Sequence, residues 1–236
     1  MRVKGVKMNK KLSYLLTIIA VIICIITGSV VLVKTAYEKF TYIIVLDAGH
    51  GGIDGGVTGV STGVKESELN LKTVYILKQV FEKAGYKVVL TRKDDDGLYG
   101  NTGAGFKLRD LKKRKEIINS ANAELVISIH MNKYQSSSRR GAQVFFKQND
   151  IKSKYLADKI QLRLNNMSES VRISNALKGD YYILNTSKTP AVIVECGFLS
   201  NVEDEKLLTN DSYLNKLALE IFNGAIDYIN LSTDAL

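Results

Sequence analysis

The chain has 236 residues, 45% of them hydrophobic, and a formal net charge of +9. Six basic residues lie in residues 1–35, which hold no acid, so the remainder carries 27 basic against 24 acidic side chains. A surface this balanced gives no electrostatic reason to expect a nucleic-acid partner, and two cysteines, Cys24 and Cys196, exclude a disulfide framework.

The amino-terminal segment is typical of a membrane anchor. Basic residues as far as Lys11 precede an uncharged apolar run of 20 residues from Tyr14 to Val33. A helix needs about 20 residues to cross a bilayer, whereas the apolar region of a secretory signal peptide has about 7–15. We therefore expect one transmembrane helix, with a signal peptide as the alternative.

The domain organisation follows from this anchor. In both cases the basic head stays in the cytoplasm, and the main domain lies outside the cytoplasmic membrane. The expected segments are a basic head and anchor over 1–35, a tether over 36–41, one domain over 42–230 and a tail over 231–236.

The only two histidines each follow a short apolar segment. Ile43–Leu46 leads through Asp47 to His50, which three glycines surround, and Leu125–Ile129 leads directly to His130. Short apolar runs bounded by glycine-rich turns predict buried strands. Because the carboxyl ends of parallel strands meet at one edge of a sheet, the two imidazoles are expected at one site.

The rest of the chain alternates between helical and extended patterns, which predicts a single-domain three-layer α/β/α sandwich with a mostly parallel mixed sheet. A loop over 93–107, with four glycines, is expected near the site. Its three aspartates lack the spacing of a calcium loop and indicate a solvated turn. The predicted elements are helices over 66–84, 108–121, 151–165, 203–209 and 213–229, and strands over 86–92, 141–147, 180–184 and 191–195.

Glutamates complete the pattern of a metal site. Glu66 and Glu68 both stand near the start of a predicted helix, and Glu195 ends an apolar strand, where a carboxylate is costly unless it is paired or near a metal. Two histidines and one glutamate suit catalytic zinc with an open position, and a second glutamate can transfer protons. A pairing of Glu195 with Arg92 or Arg114 is the alternative. The residues alone indicate a metal hydrolase.

Four segments resemble the motifs of the zinc-dependent N-acetylmuramoyl-L-alanine amidases of the amidase_3 type. They occur in the family's order between residue 42 and about residue 229. The segments are Leu46–Gly56, Glu66–Leu71, Ser128–Asn132 (with Arg114 and Asn119 before it) and Pro190–Asn201.

The resemblance implies a reaction and the residues for it. Zinc would be held by His50, Glu66 and His130, and Glu195 would be the general base and acid. The enzyme would cleave the amide between the lactyl group of N-acetylmuramic acid and the L-alanine of the stem peptide in peptidoglycan. Substrate or supporting contacts are expected from three further residues, Arg92, Arg114 and Asn132.

Details of the loops resemble the germination-specific, spore-cortex branch of this family. They are Asp96–Tyr99 and Leu111–Arg114, together with the single anchor. In that branch the amidase removes stem peptides so that muramic lactam can form, which implies a location between the forespore membranes and in the cortex. A partner protein that directs or activates the enzyme is expected because no wall-binding repeat is evident.

Two other functions remain open at this point. One is a zinc peptidase that cleaves within the stem peptide, and the other is a wall-binding module without activity. Glu195 argues against the second, since a binding module needs no proton shuttle. The glycines after His50 are expected to form a floor that lets a wall strand approach the metal.

Overall fold

The computed structural model describes residues 10–167 and 173–234, and the chain separates into two compact units that divide after Thr41. In the first unit, helix α1 spans Lys10–Thr41. No helix within the described residues is long and apolar enough to cross a membrane, so the predicted transmembrane anchor is not supported. The basic head up to residue 9 and the end of the predicted tail, 235–236, lie outside the described residues.

The second unit contains a six-stranded sheet with helices on both faces. The strand order is β2-β1-β3-β6-β4-β5, and every neighbouring pair is parallel except β4 with β6. This confirms the predicted mixed, mostly parallel sheet. The elements are β1 Ile43–Ala48, α2 Glu66–Lys83, β2 Lys87–Leu90, α3 Phe106–Ser120, β3 Leu125–Asn132, β4 Gln143–Phe146, α4 Ile151–Asn165, β5 Leu177–Lys178, α5 Tyr182–Thr186, β6 Ala191–Phe198, α6 Val202–Leu208 and α7 Asp211–Asp234.

Side-chain alternation along the strands produces two cores and hence three layers. In β1, Ile44 and Leu46 pack in the core that holds α2, α4 and α7, whereas Val45 packs in a smaller core with residues of α3 and α5. Successive residues of a strand point to opposite faces, so strands covered on both faces read as continuous apolar runs. The predicted α/β/α sandwich is thereby confirmed.

One predicted strand is wrong. Residues 180–184 were expected to be extended, but Tyr182–Thr186 forms the short helix α5, and the nearest strand is β5 at Leu177–Lys178. The consecutive residues Ile183 and Leu184 are both buried in the same core, which a helix permits and an alternating strand does not. A short apolar run does not distinguish the two by its periodicity.

Candidate active site

His50 is held on a tight loop directly after β1. Its backbone adopts a left-handed conformation with φ of 60°, which a non-glycine residue rarely adopts without support. Gly51 and Asp54 exchange two backbone hydrogen bonds, of 2.9 and 3.2 Å, which close the loop. Gly49 donates from its backbone nitrogen to the carbonyl of Ile129, at 3.1 Å, and so ties the loop to β3.

Arg114 fixes this loop from α3. Its buried guanidinium donates to Asp47 Oδ1 at 2.6 Å and to the carbonyl oxygens of Ala48 and His50, at 2.6 and 2.5 Å. Burial opposes ionisation of Asp47, but Arg114 and hydrogen bonds from Ser128 and Thr91 outweigh it and lower the pKa of Asp47 to about 2. Asp47 and Arg114 are therefore both charged, and the charge of Asp47 is balanced by that of Arg114 inside the fold.

Arg92 fixes the same loop from the end of β2. It donates to the carbonyl oxygens of Ala48, Gly49 and Ser67, at 2.9, 3.2 and 2.7 Å. Within the described residues, neither Arg92 nor Arg114 forms an ion pair or hydrogen bond with Glu195. The alternative pairing of Glu195 with an arginine is therefore not formed, and both arginines position the backbone that carries His50.

Glu66 brings the two histidines together. Its Oε1 lies 3.3 Å from Nε2 of His50 and 2.9 Å from Nδ1 of His130. One ligand atom from each residue can be chosen so that all three lie within 4.8 Å of one another. Glu68 is exposed on the same helix, whereas Glu66 is buried, so the tertiary structure selects between the two glutamates.

The surroundings of Glu66 stabilise its charged form. Val57 donates from its backbone nitrogen to Oε2 at 2.9 Å, and Met131 donates to Oε1 at 3.1 Å. Asn70, one helical turn along α2, donates to Oε1 at 3.3 Å. Burial by itself would raise the pKa of Glu66, but the contacts with His130 and His50 lower it well below its ordinary value. The carboxylate is thus ready to bind a cation.

Glu195 lies beside this cluster without joining it. It is paired in register with His130 across β3 and β6, and its side chain is 8% exposed. Its Oε2 has no hydrogen-bond partner among the described residues. Burial and the negative charge of Glu66 raise the pKa of Glu195 to about 7, although His130 and His50 oppose the shift. A carboxyl group with such a pKa can both accept and donate a proton near neutral pH.

The donor set fits zinc. Two imidazoles and one carboxylate are a set found in catalytic zinc sites, which keep a fourth position open for water or substrate. The unpartnered oxygen of Glu195 supplies a proton acceptor that is separate from the three ligands.

A cavity of about 210 Å³ opens beside the histidines. The predicted loop contributes Tyr99 to its wall, α3 contributes Phe106, Lys107 and Leu111, and α5 contributes Ile183. Asp54, Asp110 and Arg114 also line it, so the wall combines apolar and charged surface beside the imidazoles.

The glycines around His50 are covered by the protein's own residues. A side chain at Gly49 would overlap the imidazole ring of His130, and one at Gly52 would overlap the hydroxyl of Tyr99. The expectation that these glycines form an open floor for a wall strand is wrong. They permit close packing of the loop against β3 and the 94–99 segment.

Asn132, the third residue expected to support the site, lies at the end of β3. Its Oδ1 accepts from the backbone nitrogen of Lys133 at 2.7 Å, and its carbonyl accepts from Leu199 at 2.9 Å. These contacts shape the loop that follows the strand.

The sequence alone assigned no role to three residues that contact the cluster or the arginine that fixes its loop. Asp54 faces His50, Asn70 binds Glu66, and Asp47 holds Arg114. Two signals were available. Asn70 is four residues after Glu66 on a helix, where side chains are neighbours, and Asp47 is an acid within a buried strand, which requires a partner.

Comparison with known proteins places this site in a family. The sequence profile of the N-acetylmuramoyl-L-alanine amidases, Amidase_3, matches residues 44–227. The germination-specific N-acetylmuramoyl-L-alanine amidase of Bacillus subtilis (strain 168) is 34% identical over 199 residues, which cover 81% of each chain.

Solved structures give the same result. The CwlD amidase from Clostridioides difficile, in complex with the GerS lipoprotein, matches with a TM-score of 0.77 and 37% identity over 81% of this chain and 100% of that chain. An N-acetylmuramoyl-L-alanine amidase from Clostridium difficile 630 matches with a TM-score of 0.71 and 28% identity, over 80% of this chain and 97% of that chain. The family match spans most of the main domain and contains all four motif segments, so this chain belongs to the N-acetylmuramoyl-L-alanine amidase family and is a peptidoglycan hydrolase.

Proposed function

We propose that this chain is a zinc-dependent amidase that removes stem peptides from spore-cortex peptidoglycan. The bond cleaved joins the lactyl group of N-acetylmuramic acid to L-alanine. One observation carries the assignment of the site: the Glu66 carboxylate lies between His50 and His130, while Glu195 is buried on the neighbouring strand with no hydrogen-bond partner for its Oε2 in the described part of the chain.

The proposed roles follow from the side chains. His50, Glu66 and His130 hold the metal, and Glu195 serves as the proton shuttle. A bound zinc ion supplies Lewis-acid polarisation of the amide carbonyl and lowers the pKa of water. Glu195 accepts a proton from the attacking water and returns it to the alanine nitrogen as the amide bond breaks, so that no net proton is gained or lost by the enzyme.

The protein surroundings keep these groups in place. Arg92 and Arg114 bind the carbonyl oxygens of the loop that carries His50, and Asn132 shapes the loop after His130. The arginines thus support the reaction by fixing the loop of His50, and Arg114 also lines the cavity beside the imidazoles.

The proposal for the cortex draws on the relatives. The Bacillus subtilis relative is named as germination-specific, and the CwlD structure contains a lipoprotein bound to the amidase. We propose that this chain acts outside the cytoplasmic membrane in the developing spore and that a partner protein directs or activates it.

The test is digestion of cortex and vegetative peptidoglycan by the purified chain, with zinc analysis of the protein and mass spectrometry of the products. Intact stem peptides with free L-alanine amino termini are expected, with cortex as the better substrate. Cleavage between amino acids of the stem would establish the zinc peptidase instead. Equal digestion of cortex and vegetative peptidoglycan would contradict the cortex assignment but not the amidase activity. Adding candidate lipoproteins to the assay tests whether a partner activates the enzyme.

A further inference from the structure

We propose that Asp54 is a positioning residue for the zinc ligand His50, and that Lys107 holds Asp54 in place. The inference deepens the proposed zinc function and rests on it. Asp54 would fix the proton of His50 on Nδ1, so that Nε2 presents its lone pair to the metal.

The two nitrogens of His50 face different carboxylates. Nε2 lies 3.3 Å from Glu66 Oε1, and Nδ1 lies 3.1 Å from Asp54 Oδ2. Nδ1 is buried and forms no hydrogen bond among the described residues, and Asp54 Oδ2 is an acceptor within reach of it. A neutral imidazole has one donor and one acceptor nitrogen, so it can donate to only one of these two carboxylates. A metal ion bound beside Glu66 would take the lone pair of Nε2, and the hydrogen would then lie on Nδ1, toward Asp54. Metal-binding histidines commonly donate their second nitrogen to a carboxylate, which fixes the tautomer and the ring orientation.

The backbone holds Asp54 at the required place. The two hydrogen bonds between Gly51 and Asp54 close a short turn after His50, so the carboxylate cannot move far from the ring. Asp54 is half-buried, with its side chain 22% exposed. Its Oδ2 faces the ring of His50 and its Oδ1 faces Lys107, so each carboxylate oxygen has a partner of its own.

Helix α3 supports His50 at two points. Lys107 Nζ lies 3.2 Å from Asp54 Oδ1, and Arg114 donates to the carbonyl oxygen of His50 at 2.5 Å. These two residues are seven apart, which places them on one face of a helix. Arg114 acts on the backbone of His50, and Lys107 acts on its ring through Asp54.

His130 is held in a different way. Its Nδ1 faces Glu66, and its ring packs against Gly49, where no side chain would fit. Glu66 is the only carboxylate within the described residues that forms a hydrogen bond or ion pair with this ring. Loss of Asp54 should therefore affect His50 and leave His130 unchanged, which gives an internal control.

The experiment combines zinc affinity with NMR of the imidazoles. Zinc dissociation constants are measured by competition with a chromogenic chelator for the full chain, for Asp54→Ala and Asp54→Asn, and for Lys107→Met. Loss of a supporting carboxylate typically weakens metal binding about 10–100-fold, and that loss is expected for Asp54→Ala. Asp54→Asn keeps an acceptor oxygen and should recover part of the affinity, while Lys107→Met should have a smaller effect than Asp54→Ala.

Two controls separate positioning from folding. Asp211→Asn removes a surface partner of Lys72 and should leave zinc affinity unchanged. The melting temperature of the metal-free protein should be the same in Asp54→Ala and in the unaltered chain. A marked fall in that temperature together with the loss of zinc would make Asp54 a structural residue and overturn the proposal, as would an unchanged dissociation constant.

The ¹⁵N spectrum of the metal-free protein tests the inference apart from the metal. At alkaline pH, the fraction of His50 that carries its hydrogen on Nδ1 should fall from the unaltered chain to Asp54→Ala, because Glu66 at Nε2 then has no competing carboxylate at Nδ1, while the His130 signals stay the same. If the unaltered chain fails to bind zinc but shows this tautomer shift, the zinc function fails and the positioning role stands. An identical His50 tautomer in both proteins overturns the positioning role.

Discussion

Glu195 and His130 occupy paired positions on neighbouring parallel strands, β6 and β3. Side chains at paired positions lie on the same face of a sheet, so the proposed proton shuttle and the proposed zinc ligand are held by backbone hydrogen bonds rather than by a flexible loop. Their separation is therefore fixed before substrate arrives, which is a condition for efficient proton transfer. Burial and the charge of Glu66 raise the pKa of Glu195.

Replacement of Glu195 should separate catalysis from metal binding. Glu195→Gln keeps the size of the side chain but cannot accept the proton of water, so the rate should fall by about 10²–10⁴-fold, as expected for loss of a general base. Zinc content should remain that of the unaltered chain, as measured by atomic emission. His130→Ala is the matched contrast and should lose zinc. Loss of zinc in Glu195→Gln would mean that Glu195 is a ligand.

The pH dependence of hydrolysis should report the same carboxyl group. Burial raises the pKa of Glu195 to about 7 in the metal-free protein, and the charge of a bound cation lowers it. Because the base must be deprotonated, kcat/KM should fall about tenfold per pH unit below an apparent pKa that lies at or below this value. A rate profile measured with zinc saturating at each pH checks this. A profile in which kcat/KM does not fall at any pH below 7 would contradict it.

Gly49→Ala should damage the site through packing. The added methyl group would overlap the ring of His130, so the loop or the ring must move, at a cost of about 1–3 kcal/mol for an overpacked site. Urea unfolding and a zinc titration should both show the loss. Gly103→Ala is the control, because the heavy atom nearest to the added methyl group is the side-chain oxygen Oδ1 of Asn101, at 3.3 Å. Zinc affinity unchanged in Gly49→Ala would show that the loop absorbs the methyl group.

The Asp47–Arg114 pair should make stability depend on acid pH. Asp47 has an ordinary pKa of 3.8 and a folded-state pKa of about 2. The difference corresponds to about 2 kcal/mol of stability that is present above pH 4 and is lost as the pH falls through 2. At neutral pH, Asp47→Asn should cost about 2 kcal/mol, the contribution of the charged Asp47, because Asp110 still pairs with the buried guanidinium of Arg114.

Urea unfolding of both proteins between pH 7 and pH 2 measures this effect. The difference in unfolding free energy should narrow as the pH falls below 4, since Asp47 then loses its charge in the unaltered chain as well. Asp211→Asn, at an exposed pair, should show no such trend. A constant difference across the range would assign the cost of Asp47→Asn to packing.

The apolar runs and the residues that end them were sufficient to predict most of the fold. Helix α4 begins and ends where the spacing predicts, because the apolar residues of an amphipathic helix recur with the helical period. Strand β6 continues past Glu195 to Phe198, although a carboxylate suggests a strand end. The strand can include Glu195 because its side chain lies on the same face of the sheet as His130. The charged groups of the site are its neighbours there.

The sequence by itself determined that His50 and His130 stand at the ends of two buried strands and that carboxylates were available beside them. It did not distinguish Glu66 from Glu68 by physical argument, and it assigned no role to Asp54. Only the tertiary structure decided these points, because burial and the direction of a side chain depend on which elements pack together. Packing of α2 against the sheet buries Glu66 and leaves Glu68 exposed, and the start of α3 brings Lys107 to Asp54. Local periodicity fixes the elements, whereas contacts between residues distant in the chain fix the chemistry of the site.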